Sequence, residues 1–396
     1  MYVFEDTLSS LNLMFFASGI PPCNEFYPET IRMIFKENKF FLIAFSLLLY
    51  TQLGEIVYLA QMVQRECSFL ELTFQAPCVG YCSIGLLKMV VIAVKRNVIA
   101  ELVQNLRDVW DQSIITVEHR EICKNVMKPA ISITSLTAVV NVIMGISFTI
   151  LPIAEMIYHY ALAGGWVRQL PFLICWPFDP LSGNKYFLVY PLYIVIGFSG
   201  IIIHMAFDCL FCILTAHICM NFRILEHDFE NIKSASDINE TSESITKCLI
   251  HVEKHQRLHK YKEAVDGIFS FTLCYNFFVS SIIICIQGFM ITAASGYTLI
   301  KFALFLASFL VELFLLCFYG QDVSESSSQV AQAAYNCSWY NESKKFRQLI
   351  LQIIMKAQRP LVLMAWKFWP VNIMTFSSIL SASWSYFTLL RTVYYK

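Results

Sequence analysis

Seven apolar stretches, each long enough for a helix to cross a bilayer, constrain this chain more than any other feature. They cover residues 40–60, 74–94, 130–154, 186–215, 267–291, 302–320 and 371–390. A helix rising about 1.5 Å per residue crosses a hydrocarbon core of about 30 Å in about 20 residues. Backbone N–H and C=O groups left unpaired in lipid are costly, so each segment must satisfy them internally, as a helix does. The third, fifth and seventh stretches contain no Asp, Glu, Lys or Arg, whereas the others carry the isolated ionisable residues Glu55, Lys88, Asp208 and Glu312. The fold class implied is an all-α membrane protein with seven transmembrane helices.

Composition agrees. With 57% hydrophobic and 15% charged residues, the chain is too apolar for a water-soluble protein of its length. Its 29 basic and 29 acidic residues cancel, so no net field draws nucleic acid, and charge must act by position. The opening MYVFEDTLSS carries Glu5 and Asp6 where a signal peptide would be basic. No short apolar core with a cleavage site follows, so the first span is expected to serve as its own insertion signal. The fourteen cysteines are scattered, and Cys82, Cys209, Cys212, Cys274, Cys285 and Cys317 fall inside apolar runs as small hydrophobes. Cys78-x3-Cys82 and Cys209-x2-Cys212 lack the second ligand pair that a zinc site requires. Neither a disulfide framework nor a metal or other cofactor is expected.

Lys and Arg gather on one side of the spans. The N-terminal segment and the loops after the second, fourth and sixth spans hold 22 of them, the opposite segments hold 6, and Lys88 lies inside the second span. Cytosolic loops are those enriched in Lys and Arg, so the N-terminus is expected in the cytosol and the C-terminus outside. The bias alternates with every span, which supports their number, because a missed helix would scramble it. The sequons at Asn239, Asn336 and Asn341 fall on the cytosolic side and are expected to be unmodified.

The inner loops are long. Within 216–266, SASDINETSES reads as a flexible tip and HVEKHQRLHKYKE as a charged helical approach to the fifth span. Over 329–359, Tyr335, Trp339, Phe346, Leu349, Ile350, Ile353 and Ile354 recur mostly at three- and four-residue intervals, with Lys344, Lys345, Arg347, Gln348 and Gln352 between them. That pattern predicts an amphipathic helix outside the membrane, whose apolar stripe needs a partner surface; the bilayer surface is one candidate.

Enzymatic chemistry finds no support. There is no Gly-rich phosphate loop, nucleophile elbow or H-E-x-x-H pair, and the eight histidines are dispersed. The intramembrane ionisable residues are functional candidates by default. Lys88 lies about two turns from the cytosolic end of its span, which favours snorkelling to the rim over pairing with Asp208 or Glu312. Glu55 could reach either rim. The outer halves of spans two to five carry Tyr81, Cys82 and Gly85, then Phe148, then Tyr186, Tyr190 and Tyr193, then Phe289. Such a lining suits a small, mostly apolar molecule with one hydrogen-bonding group. Each of these residues is equally at home as a membrane-belt or core residue.

The end of the chain is more specific. It carries a Trp-Tyr pair at 339–340, then Arg359, Pro360, Leu363, Ala365, Lys367 and Phe368, then the run TFSSILSASWSYFTLLR from Thr375 to Arg391. In these residues the chain closely resembles the insect odorant receptor family over about seventy positions. Looser similarities are Tyr319-Gly320 at the end of span six, Asp208 with Leu210-Phe211 in span four, and the seven-span layout with an inside N-terminus.

The resemblance implies the family's channel fold: a tetrameric, odour-gated cation channel whose seventh helix lines a central pore. It divides the chain into a six-helix transmembrane ligand-binding domain with cytosolic loops (1–320), a cytosolic anchor helix region where subunits pack (321–370) and the pore-lining seventh helix (371–396). Matching Tyr386-Phe387 to the family's Tyr-Phe places hydrophobic gate positions at Leu389 and Val393 and a polar selectivity position at Thr392. A helix step of about 100° puts these three on one face, with Arg391 about 200° from Leu389 and away from the axis. The family's co-receptor carries Gln where this chain has Thr392, so the chain reads as the variable, odour-tuning subunit. Its implied partners are the odorant co-receptor in a heterotetramer, a small volatile organic ligand and membrane lipid, with no nucleic acid. Its implied location is the plasma membrane of olfactory sensory neurons. A gustatory receptor would follow the terminal Tyr with Gln-Phe where Thr392-Val393 stand. A G-protein-coupled receptor would show D-R-Y and N-P-x-x-Y, and a secondary transporter internal repeats and broken helices; none is present.

Overall fold

A computed structural model describes residues 4–20, 39–65, 69–114, 116–232, 238–294 and 296–394. Among the described residues ten α-helices follow in order: α1 (Phe4–Ala17), α2 (Lys39–Gln64), α3 (Phe69–Val94), α4 (Arg96–Ser113), α5 (Val117–Ala163), α6 (Lys185–Glu230), α7 (Ile238–Ala293), α8 (Tyr297–Asn336), α9 (Lys344–Ala357) and α10 (Ile373–Tyr394). Helices α2, α3, α5, α6, α7, α8 and α10 are long and apolar enough to cross a membrane, and they contain the seven stretches found in the sequence. Four of them overrun the bilayer: α5, α6, α7 and α8 have 47, 46, 56 and 40 residues. At about 1.5 Å per residue, even the shortest is about twice the length that a hydrocarbon core of about 30 Å requires. The excess lies at one end of the bundle, formed by the starts of α5 and α7 and the ends of α6 and α8. The charged approach to span five is thus the first half of α7. Of the flexible tip expected before it, residues 234–237 lie outside the described residues, and from Ile238 onward the chain is helical.

Helix α6 is the hub. It is apolar on all sides and buries Phe207, Leu210, Phe211, Phe222 and Phe229 against α5, α8 and α7. Helix α1, for which the sequence reading assigned no element, buries Phe4, Leu8, Leu11 and Phe15 on one face and packs on α6. Its Thr7 hydroxyl lies 3.0 Å from His217 Nε2, and Glu5 pairs with Arg107 of α4.

The single amphipathic helix expected over 329–359 is two elements. Helix α8 ends at Asn336, Cys337 is extended, a 3₁₀ turn covers Trp339–Asn341, and α9 then begins. Ser343 caps α9, its hydroxyl accepting from the Phe346 N–H at 3.3 Å, and a capping serine sets a new helix start where periodicity alone suggests continuation. Helix α9 buries Phe346, Ile350, Ile353 and Ala357 against α7 and α8, so this chain's own bundle supplies the partner surface. The run after Arg359 is not helical. Strands β1 (Met364–Ala365) and β2 (Trp369–Pro370) form a small antiparallel hairpin, with Trp366 and Lys367 at φ 45° and 63° in its turn. The Trp366 N–H donates to the carbonyl and hydroxyl of Ser270, at 3.1 and 2.8 Å, docking the hairpin on α7.

Helix α10 leaves the hairpin with Thr375 N–H donating to Asn372 Oδ1 at 2.9 Å. Thr375, Ser383 and Phe387 are its buried residues, and Ser383 donates to the Ser281 carbonyl of α7 at 3.0 Å. Leu389 and Val393 lie on the opposite face and are exposed, as are Trp384 and Tyr386.

Candidate ligand-binding cavity

The spans enclose an apolar cavity of about 90 Å³. Each contributing helix offers one stripe, because residues three, four and seven apart share a face. From α2 come Leu48, Thr51 and Glu55; from α3, Cys78, Tyr81, Cys82 and Gly85; from α5, Met144 and Phe148; from α6, Tyr193, Ile196, Gly200 and His204; from α8, Phe305. The loop between α5 and α6 closes the cavity with Pro171 and Phe172. That loop is pinned at several points. Cys175 N–H donates to the Gly54 carbonyl at 3.1 Å, Gln75 Nε2 to the Leu173 carbonyl at 2.9 Å, and Trp176 Nε1 to the Tyr193 hydroxyl at 3.0 Å. Gly54 is required for this approach, since a Cβ there would overlap the Ile174 side chain.

The walls are aromatic. The Tyr81 and His204 rings stack at 4.0 Å, Phe148 meets Phe305 edge-on at 5.4 Å, and Phe172 meets Tyr193 at 4.7 Å. Gly85 makes room for the stack, because a Cβ would sit 3.1 Å from His204 Nε2. Two polar groups stand out against these walls. Glu55 is 2% exposed with Oε2 lacking a hydrogen-bond partner, and the buried Tyr81 hydroxyl also lacks one.

Of the residues singled out in the sequence, Tyr81, Cys82, Gly85, Phe148 and Tyr193 all line this cavity. Tyr190, Tyr186 and Phe289 do not. Tyr190 donates to the Thr149 carbonyl at 2.7 Å, Tyr186 to Met156 Sδ at 3.0 Å, and Phe289 packs edge-on against Phe69 and Tyr394. The pocket was expected among spans two to five. The cavity instead draws on spans one to four and six, and the described part of span five, in α7, contributes no lining residue. Sequence reasoning missed Leu48, Thr51, His204, Phe305 and the closing loop, and marked Glu55 only as an intramembrane ionisable residue without assigning it to the pocket. The shared face of 48, 51 and 55 was visible as periodicity, but nothing local showed which neighbour that face meets.

Towards the overrunning end, α3, α6 and α8 bring a second set of groups together. Lys88 Nζ lies 2.7 Å from Asp208 Oδ2, 2.9 Å from Glu312 Oε1 and 3.2 Å from His204 Nδ1, and Asn276 donates to Glu312 Oε1 at 3.0 Å. The lysine is fully buried, which corrects the snorkelling expectation. Two carboxylates from neighbouring helices converge on the ammonium, so it gains more by staying than by reaching the rim. Among the described residues two groups have ligand-type atoms within 4.8 Å of one another, His204 with Asp208 and Glu312, and His119 with His227 and Asp228. A lysine ammonium already sits on a carboxylate of each, Lys88 in the first and Lys254 at 3.2 Å from Asp228 in the second, which disfavours a metal cation at either. The gate candidates Leu389, Thr392 and Val393 lie on the exposed face of α10, away from the cavity, with Thr392 donating to the Thr388 carbonyl at 2.8 Å.

Comparison with known proteins gives a consistent result. The family model described as 7tm Odorant receptor matches residues 68–384. Among curated relatives, putative odorant receptor 92a of Drosophila melanogaster is 26% identical, the match covering 86% of this chain and 84% of that protein. Odorant receptor 67a of Drosophila melanogaster is 25% identical, with 99% and 97% covered. Among solved structures, the insect olfactory receptor OR5 from Machilis hrabei, in complex with eugenol, superposes with a TM-score of 0.84 at 18% identity, covering 98% of each chain.

Proposed function

This chain belongs to the insect odorant receptor family, as a seven-helix membrane protein and not an enzyme, and from that premise we propose that it is the variable, odour-tuning subunit of a ligand-gated, non-selective cation channel. The observation carrying the proposal is the enclosed aromatic cavity between α2, α3, α5, α6 and α8. It is concave, apolar and supplied with few polar groups, as sites for small organic ligands are. Its volume, about 90 Å³, is several times what a single water needs and below the roughly 150 Å³ that holds benzene, so the occupant is a small volatile molecule.

The remainder of the reading follows from α10 and the overrunning helices. Helix α10 is the least buried of the seven spans and presents Leu389, Thr392 and Val393 on its uncovered face. Four such faces around an axis would form a pore with Leu389 and Val393 as gate and Thr392 as the polar position, the other subunits including the odorant co-receptor. The N-terminus faces the cytosol and the C-terminus the outside, in the plasma membrane of olfactory sensory neurons. Residues 1–320 form the ligand-binding domain, 321–370 the cytosolic anchor and 371–396 the pore segment. Ligand in the cavity favours the open arrangement by binding it more tightly than the closed one. Co-expression with an odorant co-receptor in oocytes is expected to give a cation current evoked by members of a broad volatile panel and absent without this chain. Silence across the panel with both subunits at the cell surface contradicts the proposal.

A further inference from the structure

The intramembrane carboxylates are not treated alike. Asp208 and Glu312 share Lys88, and Asn276 adds a donor to Glu312. Glu55 is as deeply buried, yet no cation lies within ion-pair distance of it among the described residues, and its Oε2 has no hydrogen-bond partner. Lys301, the buried lysine of α8, is engaged elsewhere: its Nζ donates to the Pro171 carbonyl at 2.7 Å and lies 4.4 Å from the centre of the Phe148 ring. A buried carboxyl left without a partner is costly, and such residues within a membrane persist where a partner or function requires them.

Glu55 lines the cavity, and the groups around it suit a cation. Tyr81, Phe172, Tyr193 and Phe305 surround the space, and aromatic faces attract ammonium groups, while the Phe148 face is already taken by the Lys301 ammonium. The Tyr81 hydroxyl, also without a partner, can accept an N–H.

Resting on the odorant-receptor reading above, we propose that the cavity selects small amines, with the ligand's ammonium paired to the Glu55 carboxylate and its carbon skeleton against the aromatic walls. The ligand thus supplies the partner that the fold withholds from Glu55. An ester or ketone carries no positive charge and cannot form that ion pair.

The test uses matched four-carbon probes, n-butylamine, 1-butanol and 2-butanone, on the chain co-expressed with an odorant co-receptor. Butylamine is expected to activate at concentrations about tenfold or more below those of the alcohol and the ketone. Glu55→Gln keeps the shape and removes the charge; it should raise the half-maximal concentration of butylamine about tenfold to a hundredfold, with little change for the other two. A ketone or alcohol preference in the natural chain, or an amine response indifferent to E55Q, overturns the proposal while leaving the receptor reading intact. Should E55Q fail to reach the surface, the ranking of the three probes on the natural chain decides alone. Silence to these probes and to a broad volatile panel, with both subunits at the surface, overturns the receptor reading itself.

Discussion

Lys88 shows how far one residue's role depends on its neighbours. The sequence showed a lysine near the end of an apolar run, where snorkelling is the economical expectation. Its actual partners lie 120 and 224 residues away in the chain, and only the packing of α3 against α6 and α8 brings them within 3 Å. Removing one member of a buried ion pair is worse than never having had it, because the remaining charge is stranded. Lys88→Met is therefore expected to destabilise the protein by about 3–5 kcal/mol, read as a lower melting temperature in detergent and reduced surface expression. Adding Asp208→Asn and Glu312→Gln should restore much of that loss. An unchanged melting temperature for K88M would show that the cluster contributes nothing to the fold.

At the level of elements, the decisive joint lies between the middle of α8 and the chain leading from the hairpin into α10. A Cβ at Gly320 would overlap the carbonyl oxygen of Val371, and backbone cannot swing aside as a side chain can. Gly320→Ala is expected to cost about 1–3 kcal/mol through forced separation of α8 from the α10 start, seen as a lower melting temperature. Stability equal to that of the natural chain would mean that the joint is slack. On α10 itself, Leu389 lies about 200° around the helix from the buried Phe387, so the face carrying Thr392 points away from α7. Thr392→Lys is expected to reduce cation permeability in the assembled channel severalfold, whereas Ser377→Lys should act through packing or expression. Unchanged permeation at position 392 would show that another face lines the pore. The elements most legible in the sequence were those with long apolar periodicity. The break at Cys337, the cap at Ser343 and the hairpin after Leu363 were hidden, because a short polar interruption resembles the polar face of a continuing helix.

For the molecule as a whole, seven spans were readable because a bilayer demands length and apolarity that nothing else mimics. The cavity was half legible. Tyr81, Cys82, Gly85, Phe148 and Tyr193 came from spans rich in aromatic and small residues, but Glu55, His204 and the 164–184 loop enter through tertiary packing, to which no local pattern points. The structure joins an aromatic chamber in one half of the bundle to an uncovered α10 through α7 and α8, which pack against both α10 and the cavity-lining helices. The central claim is that occupancy of this chamber opens the channel. It is tested most directly by filling the chamber with Cys78→Phe and recording volatile-evoked currents from the co-receptor complex. The expected result is a loss of sensitivity of about tenfold or more, with surface expression and ligand-free current retained, since added bulk displaces the ligand from a space of about 90 Å³. A concentration–response curve superimposable on that of the natural chain would place the ligand elsewhere.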